Sequence, residues 1–278
     1  MEEVLFLKYQ SLKKNIETYE SVIVAFSGGI DSSLVAYVAG QVLGERALAV
    51  TSASASLKRA DLALAKKLAT DWGIRHKVIV TDELSKPNYR ANPVDRCFHC
   101  KTSLYTYLEE LAQSETVEVV LNGTNTDDLG DHRPGLIAAE NFAVHSPLAE
   151  CGFNKENIRA LAHSLGLANA DKPQAACLSS RFPYGTEITL ELLEQVEAAE
   201  EVLADLGFNQ CRVRHHGDVA RLEVPQDLFQ LALAHHNELT ERIMATGYHY
   251  VALDLSGFTS GSLNKVLYTR QINVAEVT

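Results

Sequence analysis

A five-residue apolar run, Val22-Ile23-Val24-Ala25-Phe26, leads without a break into Ser27-Gly28-Gly29-Ile30-Asp31-Ser32-Ser33 and then into a second apolar stretch, residues 34–39. The first run reads as a buried parallel strand and the second as a helix. Glycines between them let the chain turn sharply and approach a bound group with no Cβ in the way. Ser27, Asp31, Ser32 and Ser33 gather at the helix start, whose unpaired N–H groups face whatever sits above the strand. The pattern is that of an anion site, with phosphate the anion expected.

The spacing matches neither Gly-x-x-x-x-Gly-Lys-Ser/Thr nor Gly-x-Gly-x-x-Gly, which excludes a P-loop and a dinucleotide fingerprint. An amphipathic helix over 4–17 carries Leu5, Leu12 and Ile16; strands are expected at 46–51, 77–80 and 117–121, and helices at about 58–72, 103–113 and 157–165. Such alternation makes a doubly wound parallel sheet, in which ligands lie beyond the carboxyl ends of the strands. Ser27 and residues 52–54, beginning with Ser52, are therefore candidates to face one nucleotide. The fourth strand empties into Asn122-Gly123-Thr124-Asn125-Thr126-Asp127-Asp128 at the same sheet edge, and His132-Arg133-Pro134-Gly135 continues that loop. Asp127 and Asp128 can position metal or substrate, or one of them can cap a helix.

Residues 169–187, with Pro173, Pro183 and Gly185, read as a long functional connection. Beyond it Thr189 can cap a helix to Leu206 whose inner face carries Leu193, Val196, Ala199 and Leu203. Alternating residues on either side of Gly217-Asp218 predict a hairpin, followed by a helix over 228–244 and a strand over 250–255. The expected fold class is α/β, a doubly wound parallel sheet in residues 1–186, with a smaller C-terminal α+β domain in 187–278.

A net charge of -11 argues against a partner gripped through nucleic-acid phosphates and favours a small substrate. The N-terminus lacks the apolar core of a signal peptide, and no apolar run reaches membrane-spanning length, so a cytoplasmic protein without membrane contact is expected. Five cysteines, an odd number, argue against a disulfide framework. Cys97-x-x-Cys100 alone suits a redox pair, half a zinc site or mere packing. Cys177, in the second conspicuous loop, changes the balance. Three thiolates suit a [4Fe-4S] cluster with one iron left open, or a zinc site completed by His99. Cys151 reads as structural, Cys211 has no assigned role, and His215-His216 and His235-His236 read as solvated.

Ser27-Gly28-Gly29-Ile30-Asp31-Ser32 resembles the pyrophosphate loop (PP-loop) of ATP pyrophosphatases, of the adenine nucleotide alpha hydrolase-like type. Together with Gly123-Thr124-Asn125-Thr126-Asp127-Asp128, Ser179-Ser180-Arg181-Phe182-Pro183-Tyr184-Gly185 and Arg212-Val213-Arg214, it resembles the LarE family of ATP-dependent sulfur transferases over nearly the whole chain. The resemblance implies cleavage of ATP to AMP and pyrophosphate. A carboxylate of pyridinium-3,5-biscarboxylic acid mononucleotide is adenylylated and its oxygen replaced by sulfur, in the pathway to the nickel-pincer nucleotide cofactor. It implies ATP and Mg²⁺ as cofactors, with Ser27, Gly28, Gly29, Asp31, Ser32, Ser33, Ser52, Gly123 and Asp127 around the nucleotide and Asp31 on the metal.

In one branch of that family a single cysteine before Ser-Ser-Arg, here Cys177, is a sacrificial sulfur donor. In the other, three cysteines hold a [4Fe-4S] cluster, and Cys97, Cys100 and Cys177 give that pattern. Sacrificial use leaves Cys97 and Cys100 unexplained, so the cluster is preferred. Arg181 is a positive neighbour suited to activating Cys177, and Lys101 can serve AMP or the developing carboxyl charge. Arg212 and Arg214 share one strand face and suit a phosphate or carboxylate. By resemblance they join Ser180, Arg181, Glu200 and Glu223 in an anionic-substrate pocket; without it, a cross-strand surface network is an equal reading. Sulfide or a sulfur-donor protein is the expected upstream source, and a homo-oligomer the expected assembly. The rival activities are tRNA 2-thiolation and nucleotide binding by a zinc-stabilised adaptor. Amidotransfer is disfavoured, since it leaves the cysteines idle.

Overall fold

The structure is a computed structural model that describes residues 2–129, 134–173 and 176–259. His132 and Arg133, singled out above, lie outside the described residues. The chain falls into two compact units: the described residues of Met1–Tyr89 and Pro93–Ala175, and those of Arg90–Asn92 and Ala176–Thr278. The division comes at 175/176 rather than 186/187, because residues 182–188 pair with the short 90–92 stretch. The Ile188 and Gly185 N–H groups donate to the carbonyls of Arg90 and Asn92, both at 2.9 Å.

The first unit is a parallel sheet in the order β3-β2-β1-β4, formed by β1 (Val22–Ala25), β2 (Ala47–Ser52), β3 (Arg75–Ile79) and β4 (Val119–Leu121). Alternate residues of β1 feed two cores, as a two-residue period requires. Val22 and Val24 join the core that holds the Ile30–Leu43 helix, whereas Ile23 joins Tyr105, Leu108 and Ala138 on the opposite face. The Ile30–Leu43 helix is apolar on nearly all sides, and it packs on β1, β2 and the Glu3–Glu17 and Lys155–Ser164 helices. Leu34, Val35 and Val38 are fully buried there, each worth about 1.5–3 kcal/mol.

Three local expectations are corrected. Cys97 and Cys100 lie within the Arg96–Glu115 helix and not ahead of it. A helix, Pro134–Asn141, stands where the chain after β4 reads as loop. The 228–244 stretch breaks at His235 into Phe229–Ala234 and His236–Met244.

In the second unit Thr189 caps the Leu190–Asp205 helix as expected, its hydroxyl accepting the Leu192 N–H at 3.3 Å. The hairpin is β5 (Arg212–His216) and β6 (Val219–Glu223), antiparallel about Gly217-Asp218; β7 (Tyr250–Leu253) runs parallel to β6. Leu203, Phe208, Val213, Ala220, Leu222 and Ile243 form the core between helices and sheet. Among the described residues no helix is long and apolar enough to cross a membrane.

Candidate active site

The pyrophosphate-loop residues stand at the carboxyl end of β1. The Ser32 hydroxyl donates to the Gly29 carbonyl at 3.0 Å and accepts the Ser27 N–H at 3.2 Å, and it lies 3.1 Å from the Ser27 hydroxyl. Ser33 belongs to the far side of the turn. It is fully buried and its Oγ accepts from Asn169 Nδ2 at 2.8 Å, so it braces the loop from beneath. Ser52, at the end of β2, pairs with the Thr81 hydroxyl beyond β3.

Across the loop the β4 turn comes so close that only glycine fits at 123. A Cβ there would lie 2.6 Å from Ser32 N and 2.9 Å from the Asp31 carbonyl carbon. Asn125, fully buried, fixes the rest of that turn. Its Oδ1 accepts the N–H groups of Asp127 and Asp128, at 3.0 and 3.3 Å, and its Nδ2 donates to Asp31 Oδ1 at 3.2 Å. The two aspartates then part company. Asp127 Oδ2 accepts the Lys155 N–H at 2.9 Å, at the start of the Lys155–Ser164 helix. Asp128, with Lys155 Nζ 3.6 Å from its Oδ1, is the carboxylate whose charge acts on Asp31. Of the two aspartates the sequence offers, Asp127 is the one at a helix start, and Asp128 is the one that acts on Asp31.

Burial, and then the charge of Asp128, push the Asp31 carboxyl above its ordinary pKa. A carboxylate with a raised folded pKa costs stability at pH values above its unfolded value, about 3.9. That cost grows as pH rises through the folded value, and a divalent cation between the two carboxylates would relieve it. Asp31→Asn should therefore raise the thermal midpoint in metal-free buffer above about pH 5 while abolishing ATP cleavage. A lowered midpoint in that buffer would show that Asp31 is not under charge strain.

The Arg96–Glu115 helix carries an exposed Cys97, a half-buried Cys100 and Lys101, whose Nζ lies over the Tyr105 ring at 5.6 Å. Cys177 is exposed in the second unit. No group of three or more His, Cys, Asp or Glu among the described residues is arranged to hold a metal ion.

The second unit builds a buried charge network around β5. Arg181 meets Glu200 with two hydrogen bonds, 2.7 and 3.0 Å, both side chains almost wholly buried. Burial alone would lower the Arg181 pKa, but the Glu200 charge and hydrogen bonds outweigh it and raise it. Glu200 Oε1 also accepts the Val213 N–H of β5 at 3.0 Å. Arg181 Nη1 donates to the carbonyls of Ala176 and Cys177, at 2.9 and 3.3 Å, and to the Ser180 hydroxyl at 2.9 Å. Arg214 donates to the Ser180 carbonyl at 2.6 Å and to Glu223 at 2.9 Å, and Arg221 lies 3.3 Å from the other Glu223 oxygen.

Arg212 is different. It is 7% exposed, yet among the described residues its guanidinium makes no hydrogen bond and no ion pair; the Phe258 ring lies 4.6 Å from it. Burial, then Arg214 and Arg181, lower its pKa to about 10. The charges of Glu223 and Glu200 act the other way without offsetting this, so the site favours an added anion. The network is buried, which replaces the surface reading of these charges. His215 is likewise buried, with Nδ1 3.2 Å from the Tyr248 hydroxyl, and only its neighbour His216 is solvated.

Comparison with known proteins gives the family. The NAD synthase family model matches residues 3–91, the span of β1 to β3 and the Ser-Gly-Gly loop. The pyridinium-3,5-bisthiocarboxylic acid mononucleotide synthase of Lactiplantibacillus plantarum is 37% identical, over 96% of this chain and 98% of its own. The chain belongs to the LarE family. It is accordingly an ATP-dependent sulfurtransferase of the PP-loop superfamily. An uncharacterized Synechocystis protein is 44% identical over 94% of this chain and 98% of its own, and one from Methanocaldococcus jannaschii is 29% identical over 92% and 99%. Sequence reasoning missed Asn169 and Lys172, which reach the loop only through contacts more than 140 residues along the chain, and named Asn125 only as a member of its loop.

Proposed function

We propose that this enzyme uses ATP to adenylylate a carboxylate of pyridinium-3,5-biscarboxylic acid mononucleotide and then replaces the activated oxygen with sulfur. The observation that supports this substrate most is Arg212, a buried cation that makes no ion pair among the described residues and on which burial, Arg214 and Arg181 outweigh the charges of Glu223 and Glu200. A mononucleotide carries the phosphate and second carboxylate that such a cluster would take, each able to accept a forked pair of hydrogen bonds. The net charge of -11 disfavours tRNA as the acceptor.

In the first step a substrate carboxylate oxygen attacks the α-phosphorus, and the bond to pyrophosphate breaks with its electron pair leaving on pyrophosphate. Ser27, the Gly28-Gly29 backbone and Ser32 hold the departing group. Asp31 and Asp128 suit a Mg²⁺ ion by their shared, mutually repelling carboxylates, and bound Mg²⁺ supplies neutralisation of phosphate charge. In the second step a sulfur nucleophile attacks the acyl carbon and AMP departs with the oxygen. Arg181 holds the backbone at 176–177 during this exchange, so that Cys177 keeps a fixed origin.

For the sulfur carrier we favour a [4Fe-4S] cluster on Cys97, Cys100 and Cys177. Thiolates are the soft ligands such a cluster takes, and Cys97 and Cys100 stand one helical turn apart, although the described residues do not gather three ligands at one point. Bound, it would supply an iron not ligated by protein and open to sulfide.

The test is anaerobic turnover with ATP, the mononucleotide and sulfide, with iron, sulfide and intact mass measured before and after. AMP and thiocarboxylate forming together, with iron retained and mass unchanged, are expected. Loss of the mass of hydrogen sulfide from the chain, with no iron bound, would assign the sulfur to Cys177 itself. AMP formation that requires tRNA would overturn the substrate. In the same assay Arg212→Gln should raise KM for the mononucleotide about tenfold or more, the worth of one charge-assisted hydrogen bond. KM for ATP should stay within about twofold; equal loss of both would refute the separation of the two sites.

A further inference from the structure

Two residues far along the chain converge on one carbonyl of the pyrophosphate loop. Asn169 Nδ2 donates to the Gly28 carbonyl at 3.1 Å as well as to Ser33 Oγ, and Lys172 Nζ donates to the same carbonyl at 3.3 Å. Lys172 is itself anchored 2.8 Å from Asp61 Oδ1, on the Arg59–Asp71 helix. Gly28 rests on that helix too: with φ at +70°, its Cβ position would lie 3.3 Å from the Asp61 carbonyl oxygen. A carbonyl can only accept, so the Asn169 amide must turn its NH₂ toward Gly28. Its own Oδ1 is then buried with no hydrogen-bond partner among the described residues. That orientation costs stability, and what it secures is the direction of a single peptide group.

The Gly28 carbonyl and the Gly29 N–H belong to the same peptide. In a trans peptide they point in opposite directions, and the described residues contain no cis bond. Pulling the carbonyl inward therefore turns the Gly29 N–H outward, into the loop. There it meets only a long contact, 3.4 Å, to Ser27 Oγ. We propose that Asn169 and Lys172, with Asp61 behind Lys172, are positioning residues that hold the 28–29 peptide so that the Gly29 N–H is ready for pyrophosphate. The cation adds a second effect. By polarising the carbonyl, Lys172 strengthens the N–H across the peptide as a donor to an anion. The inference rests on the pyrophosphate-loop reading of the site and adds to it which residues preorganise the loop.

The experiment is titration calorimetry of the full chain with inorganic pyrophosphate and, separately, with AMP, for the wild type, Asn169→Ala and Lys172→Met. Each variant should bind pyrophosphate about five- to tenfold more weakly, the worth of a net hydrogen bond or two. AMP affinity should stay within about twofold, and Lys172→Arg should recover part of the loss. Equal weakening for both ligands would mean general damage and would overturn the proposal. So would unchanged pyrophosphate binding. If Asn169→Ala does not fold, Lys172→Met, at a partly exposed position, carries the same test. A wild type that binds AMP but no pyrophosphate would instead sink the pyrophosphate-loop reading itself, which separates the two failures.

Discussion

Glu200→Ala is expected to cost about 3–5 kcal/mol of folding stability, because it leaves the Arg181 guanidinium buried without its carboxylate. Both side chains are almost wholly inside the protein, so water cannot take over the lost contacts. The same substitution also removes the acceptor of the Val213 N–H on β5. A domain stable by about 5–15 kcal/mol would lose a large share of that margin. Urea unfolding followed in the second unit measures it. The converse change, Arg181→Met, should cost a similar amount for the same reason. The double variant Arg181→Met/Glu200→Leu should be more stable than either single one, since neither member of the pair is left buried without the other. It should nevertheless be inactive, because Arg181 also ties down the carbonyls of Ala176 and Cys177. Single variants within about 1 kcal/mol of the wild type, or a double variant no better than the worse single one, would show that the pair is not a coupled buried ion pair.

How much of the molecule was legible in its sequence depended on whether the cause was local. The hairpin is local: Gly217-Asp218 sits between two alternating runs, and β5 and β6 formed as expected. The Ser-Gly-Gly turn was equally legible, as a strand, a turn and a helix contiguous in the chain. Asp127 and Asp128 were not separable, since adjacent residues in a one-turn helix differ only in direction, and that direction is set by the Asn125 side chain beneath them. Asn169 was invisible because its partner, Gly28, is 141 residues away and no periodicity links them. At His215-His216, adjacent strand residues do face opposite ways, but nothing in the sequence says which face is covered; Phe182 and Tyr248 cover that of His215. The second unit gains Arg90–Asn92 from much earlier in the chain, a pairing that composition around Pro87 and Pro93 does not encode.

Gly123→Ala should reduce ATP-dependent AMP formation about 100-fold or more, the scale expected when reacting groups are displaced by about 1 Å. The added methyl has nowhere to go. Its contacts, at 2.6 and 2.9 Å, are backbone atoms of Asp31 and Ser32, which cannot swing aside as a side chain can. Either the start of the Ile30–Leu43 helix retreats, carrying its N–H groups away from the phosphates, or the 122–128 turn withdraws and takes Asn125 off Asp31. Both outcomes dismantle the same site from opposite sides. The accompanying loss of stability should be about 1–3 kcal/mol, as for overpacking elsewhere. Gly135→Ala is the matched control. Its nearest neighbour is Lys101 Cγ at 3.3 Å, part of a flexible side chain that can move aside, so its stability should change by less than about 0.5 kcal/mol and its AMP release should fall far less than that of Gly123→Ala. Single-turnover measurement of AMP release from both variants, beside their thermal midpoints, distinguishes close backbone approach from a general intolerance of alanine. Near-normal turnover in Gly123→Ala would mean that the two loops do not need to touch for ATP to be cleaved.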